Sequence, residues 1–258
     1  MSLPCVNGGG PGSLIRLEAS PVLEKELALS PKAIRALAFW QARPGQIVTV
    51  QDPAGRYLRA RVTSFAKAEA RVVPFHHLPV SVESPLQITV FQALPEKERF
   101  ELVLQKLTEI GVQRIVPFHS QRSTTLQERD SLQKKSHRWP EVLLRAARQC
   151  RRAIIPELSP VVEWPQVLSE MKVAQAALLL YEKEGGQWLG QLARLESVNS
   201  LALIIGPEGG FNDSEVVAAQ AQGAIALSLG PRILRTETAA IVAASACQTL
   251  WGDLGKYL

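Results

Sequence analysis

Two apolar runs near the end of the chain stop in the same way. LALIIG (residues 201–206) breaks into Pro207-Glu208-Gly209-Gly210, and AIALSLG (residues 224–230) breaks into Pro231-Arg232. A helical pattern follows each break. The first is capped by Asn212 or Asp213 and ends at Gly223; the second has Thr236 as its expected N-cap and Glu237 in its first turn. Glycines at the end of a parallel strand let backbone approach a ligand, and such strand ends are where open α/β sheets bind. The spacing matches neither the dinucleotide pattern G-x-G-x-x-G nor the phosphate loop G-x-x-x-x-G-K-[ST], so hydride transfer and nucleotide hydrolysis both lose support.

The same alternation extends upstream. LQITVFQAL reads as a buried strand, and Phe100, Val103, Leu104, Leu107 and Ile110 then form one helical stripe stopped by Gly111. RIVPF, a helix over roughly 139–150, and a strand at AALLLY complete an α/β pattern with a mainly parallel sheet. Before residue 80 the period is different. QIVTV, the turn DPAG and RYLRARV predict a hairpin, with Leu58, Ala60 and Val62 on one face and Tyr57, Arg59 and Arg61 on the other. That second face is either solvated or an RNA-contacting surface. The expected organisation is a small β-barrel over residues 1–80, of which about the first ten, Gly- and Pro-rich, are poorly ordered, and an α/β domain over 84–258.

Charge narrows the partners. The chain has 258 residues and a net charge of +5, but residues 134–152 carry seven basic side chains and a single acid, so the remainder is close to neutral. Arg138, Arg145, Arg148 and Arg152 fall near one helical face, opposite Val142, Leu143, Ala146 and Ala147. Like charges at these spacings repel. The face is therefore either simply solvated or kept for RNA phosphate or a neighbouring subunit. Three scattered cysteines give no disulfide framework and fit a reducing, cytoplasmic setting. Four histidines offer no chelate, so no metal is expected. Neither a signal peptide nor a membrane span is expected, since the most apolar run, Val173–Tyr181, is too short.

GPEGGFNDSEV and LGPRILRTETAA, with QKLTEIGVQRIVPFHSQRS and the stretch at 151–158 ahead of them, resemble the bacterial ribosomal small-subunit RNA uridine-N3 methyltransferases of the SPOUT superfamily. The resemblance is strong over about residues 84–254 and weak before them. It implies a PUA-like RNA-binding barrel, an α/β domain tied in a trefoil knot, S-adenosylmethionine (SAM) as cofactor, small-subunit ribosomal RNA or a 30S particle as substrate, and a homodimer. The implied cofactor residues are Tyr181 and Glu182; Ile205, Gly206, Pro207, Glu208, Gly209 and Gly210; and Leu229, Gly230, Ile233, Leu234, Thr238 and Ala239. The small residues over 239–247 suit close packing of helices in such a dimer. Arg43, Arg59, Arg61, Arg122, Arg145, Arg148 and Arg152 are the expected RNA contacts.

Uridine N3 must lose its proton before attacking a sulfonium methyl, and a guanidinium stabilises the resulting anion without changing its own protonation. Arg235 is the expected charge stabiliser, with Arg232 as alternate; Glu208 is a candidate base by position only. The segment PKAIRALAFWQARPGQ departs from the family pattern, with Gln41 where arginine is usual and no histidine upstream. Arg148-Gln149-Cys150-Arg151-Arg152 stands where the family carries Glu-Gln-Ser/Cys-Gly-Arg. Another SPOUT activity, on a ribose hydroxyl or a different base, and a non-catalytic RNA-binding assembly factor are the competing readings.

Overall fold

The computed structural model describes residues 6–66, 68–95, 97–123, 138–181, 187–188 and 198–255. The N-terminal part builds a five-stranded sheet from β1 (Ile15–Arg16), β2 (Leu27–Ala28), β3 (Ile47–Gln51), β4 (Tyr57–Phe65) and β5 (Ala70–His77), in the order β1-β3-β4-β5-β2. Only β1 and β3 run parallel. The predicted hairpin is β3–β4, with Leu58, Ala60 and Val62 fully buried against α1 and its neighbours. Helix α1 (Pro31–Phe39) starts where the Ser30 hydroxyl accepts from the Ala33 amide, and it buries Ala33, Ile34, Ala36 and Leu37.

The second sheet has eight strands, all parallel. Its members are β6 (Gln87–Ala93), β7 (Arg114–His119), β8 (Glu157–Leu158), β9 (Val162–Glu163), β10 (Ala176–Leu180), β11 (Gln187–Trp188), β12 (Ser200–Ile205) and β13 (Ile225–Ser228). They run in the order β11-β13-β10-β12-β6-β7-β8, with β9 also on β7. Both faces are covered, which explains the unbroken apolar runs. On β12, Leu201, Leu203 and Ile205 face one core and Ala202 and Ile204 the other. The first core includes α2 (Lys97–Glu109), α3 (Trp139–Gln149) and α6 (Thr236–Leu250); the second includes α4 (Trp164–Glu170) and α5 (Asp213–Ala221). Phe100, Val103, Leu104 and Leu107 are buried completely, each contributing about 1.5–3 kcal/mol. Phe100 meets Trp139 of α3 edge-on, with centroids 4.5 Å apart.

Three expectations are corrected here. Residues 6–10 are ordered: the Val6 amide donates to Leu158 O, the Asn7 side chain spans Pro156 O and the Leu158 amide, and the Gly10 amide donates to Ile155 O. A Cβ on Gly9 would lie 2.4 Å from Pro156 O, so the strap fits only as glycine. Secondly, Ala240, Ala243, Ala244 and Cys247 point into the core of this chain, where small side chains let α6 lie close to α2 and the sheet. These four side chains are not open to a partner subunit, whereas Val242 in the same span is exposed.

Thirdly, Arg152 is no RNA contact. Helix α3 ends at Gln149 and Arg151 takes φ +61°, at the position where the resembled family carries glycine. The turn swings Arg152 inward, so helical periodicity no longer describes it. Its guanidinium is 4 % exposed, pairs with Glu83 at 2.6 Å and donates to Thr108 O and Val112 O. The other Glu83 oxygen accepts the Ala153 and Ile154 amides. Each guanidinium nitrogen and each Glu83 oxygen has at least one partner, which is the condition under which a buried ion pair is tolerated.

Candidate active site

Three strand ends converge on one cleft of about 260 Å³. β10 delivers Leu180 and Tyr181, β12 runs into Gly206–Phe211, and β13 runs into Leu229–Arg235. The Tyr181 amide donates to Leu227 O, so the first and third ends are joined by backbone. The Tyr181 hydroxyl donates to Asp213 at 3.0 Å, joining the first end to α5.

The glycine turn is fixed from several sides. Gly210 takes φ +67° and its amide donates to Pro207 O. A Cβ on Gly206 would sit 3.1 Å from the Phe211 ring, which itself stacks at 6.4 Å with Phe118. Asn212 caps α5 in a reciprocal box with Glu215, so the two sequence alternatives for that cap resolve to Asn212. Glu215 is buried, and it also accepts from the Gln121 amide and the Ser120 hydroxyl. Arg122 donates to Gly209 O at 2.9 Å, clamping the turn from outside the cleft.

The second loop carries Gly230 at φ +136°, a backbone state that L side chains rarely adopt. Thr236 is the first residue of α6 and not its cap, a role that falls to Arg235. The Thr236 hydroxyl instead donates to Gly206 O and accepts from Gln92 Nε2. Arg232 and Arg235 are exposed at the cleft, and neither has an ion-pair partner among the described residues. Glu208 pairs with Arg99 of α2 at 2.9 Å, which puts a guanidinium against the carboxylate named as a base by position.

Of the expected cofactor residues, Tyr181, Gly206, Pro207, Glu208, Gly210, Leu229, Gly230, Ile233, Leu234 and Ala239 line the cleft together. Ile205 lies beneath it in the core, Gly209 faces Arg122, and Thr238 is exposed on α6 away from it. Glu182 lies outside the described residues, as do Lys134 and Lys135 of the basic run. Arg99, Leu180, Phe211, Leu227, Ser228 and Thr236 also line the cleft and were not expected. Leu180, Leu227 and Ser228 could have been found as the last residues of the strands concerned; for Arg99 no local signal exists. Among the described residues, no group of three or more His, Cys, Asp or Glu side chains could hold a metal ion. None of the described helices is long and apolar enough to cross a membrane.

A family model for the RNA methyltransferase domain matches residues 82–248. The chain belongs to this family. Relatives within it carry a common name. Ribosomal RNA small subunit methyltransferase E of Mycobacterium bovis is 34% identical over 222 residues, covering 85% of this chain and 84% of its own. The Bacillus subtilis protein of that name is 32% identical over 171 residues, 64% of this chain and 66% of its own. Among solved structures, ribosomal RNA small subunit methyltransferase E from Neisseria gonorrhoeae bound to SAM superposes with a TM-score of 0.66 at 30% identity, covering 93% of this chain and 98% of that one. A candidate methyltransferase from Legionella pneumophila, also in complex with SAM, gives 0.66 at 34%, covering 93% and 99%. The matched span of the RNA methyltransferase family holds both glycine turns, Arg99 and Arg235.

Proposed function

We propose that this protein is a SAM-dependent methyltransferase acting on N3 of a uridine in small-subunit ribosomal RNA, working as a cytoplasmic homodimer. One observation carries the reading: three strand ends meet at a backbone-walled cleft whose mouth holds two arginines with no ion-pair partner among the described residues. The cleft fits the cofactor. Gly206 leaves no room for a side chain, Gly230 needs glycine's conformational range, and Leu180, Leu227 and Leu229 give apolar walls for an adenine. SAM supplies an electrophilic methyl on a sulfonium.

The protein's own part is to place and stabilise. Loss of the N3 proton leaves a charge spread over N3 and the two ring oxygens, and Arg235 faces the cleft with its guanidinium unclaimed. Such a group, fixed before reaction, stabilises the anion without a proton changing hands. Arg232 is the alternate. Glu208, engaged by Arg99, serves as a wall of the cofactor site. Alignment of methyl and nitrogen supplies much of the remaining acceleration.

The same reading divides the chain into a PUA-like barrel over residues 1–80 and a SPOUT domain over 84–258 with a trefoil knot. Insertion of β13 between β10 and β11, after β12 has been laid down, supports such a threading. Arg43, Arg59, Arg61, Arg145 and Arg148 serve the RNA; Arg145 is exposed and only loosely tied to Glu141 at 3.6 Å. Ile233, 86 % exposed at the cleft mouth, is suited to cover by a second subunit. The test is methylation of 30S-like particles and of naked RNA, with mass-spectrometric mapping of the modified nucleotide. A 3-methyluridine product is expected, and a 2′-O-methyl product would overturn the N3 assignment.

A further inference from the structure

A second cleft, of about 320 Å³, lies between the N-terminal sheet and α3. Trp40, Thr49 and Arg59 form one wall, and Ala147, Arg148 and Arg151 the other. Arg59 donates to Thr49 Oγ1 and to Arg151 O, and Arg148 donates to Trp40 O. These bonds fix two guanidiniums across the domain junction without neutralising either. Arg43 stands close enough to Arg148, and Arg151 to Arg59, for like-charge repulsion to act. Among the described residues, no carboxylate lines the cleft. The Glu83 carboxylate nearby is taken up by Arg152 and two backbone amides.

Desolvation first, and then the neighbouring arginine, lowers the proton affinity of both Arg59 and Arg148, so the cluster is held together against its own electrostatics. Arg151 adds a cost. A non-glycine residue at φ +61° is disfavoured by about 1 kcal/mol, at a site where glycine would be relaxed. Arginines gathered at a cost, with no counter-charge lining the cleft among the described residues, describe a site completed by an external anion.

We propose that this cleft binds phosphodiester groups of RNA, as an anchor separate from the methyl-transfer cleft. Its position sets its use. Arg152, under the cleft floor, bonds Thr108 O and Val112 O just before β7 begins, whereas the cofactor cleft lies beyond the opposite ends of the strands. A seven-residue strand such as β6 puts roughly 20 Å between the two ends. A phosphate held here belongs to nucleotides several positions from the reacting base, or to another strand of the folded RNA. The anchor therefore acts on affinity and register. This rests on the RNA substrate proposed above.

Arg151→Gly tests it, because the variant removes a guanidinium while relaxing the backbone. RNA binding by the full chain is read by fluorescence anisotropy with a labelled small-subunit RNA fragment over a range of salt, alongside thermal unfolding and SAM calorimetry. The expected result is RNA binding weakened roughly five-fold, with a log–log salt slope shallower by about 0.7–0.9, an unchanged or raised melting temperature, and SAM affinity unchanged. Arg151→Lys should restore the salt slope. Unchanged RNA affinity and slope in Arg151→Gly overturn the anchor. Failure of the wild type to bind SAM would instead overturn the methyltransferase reading, and the RNA comparison would still decide this one.

Discussion

The Thr236 hydroxyl donates to the Gly206 carbonyl oxygen at 2.5 Å, tying the start of α6 to the end of β12 across the floor of the cofactor cleft. Gln92 at the end of β6 donates to the same hydroxyl at 3.0 Å. Thr236→Val keeps the shape and removes both bonds. Leaving these polar groups unmatched should cost about 1–3 kcal/mol in denaturant unfolding. SAM affinity by calorimetry should fall with it, because the Gly206 turn loses its tether. Thr236→Ser should recover most of both.

Arg235→Ala should abolish methyl transfer to RNA while changing SAM affinity by no more than a few-fold, since the role proposed for this side chain is to stabilise the reacting base and not to hold the cofactor. Single-turnover assays separate the two effects. Near-normal turnover would transfer the charge-stabilising role to Arg232, the other unclaimed guanidinium at the cleft.

Arg152→Ala leaves Glu83 buried opposite a cavity. A loss of about 3–5 kcal/mol is expected in urea unfolding, far above the cost of truncating an exposed RNA contact. Adding Glu83→Gln should recover part of that loss, and a double-mutant cycle measures the coupling. Equal losses for the double variant and the sum of the single ones would mean that the pair does not act as a unit.

Cys247 is buried within α6, and burial pushes its thiol up from 9.0 to about 12. The unfolded chain therefore loses this proton before the folded one does. The contribution is fully present below about pH 9 and is lost as pH rises toward 12. Cys247→Ala should lose less stability than the wild type between pH 9 and 11 in chemical unfolding. In the folded wild type, Cys247 should react with iodoacetamide at pH 8 far more slowly than a free thiol.

What could be read from the sequence followed from how each residue is held. The strands at 87–93, 176–180 and 200–205 were legible because both faces are buried, leaving an unbroken apolar run. Gly206 and Gly230 were legible because their turns need glycine. Arg99 was not, since its partner Glu208 is 109 positions away. The place of Arg152 is not legible from a helical wheel, because α3 stops at Gln149 and the turn at Arg151 points the next side chain inward. The Thr236 hydroxyl had a local capping role available and was drawn instead to a carbonyl thirty residues earlier.

The strap at Val6–Gly10 has a consequence for synthesis. Its partners, Ile155 to Leu158, leave the ribosome about 150 residues later. At roughly 5–20 residues per second, the strap waits some 8–30 s for the surface that holds it. The junction between the two sheets, and the arginine cleft set into it, is therefore sealed late in translation. A protein proposed to act on ribosomal RNA fastens this strap only once the turn after α3 has been made.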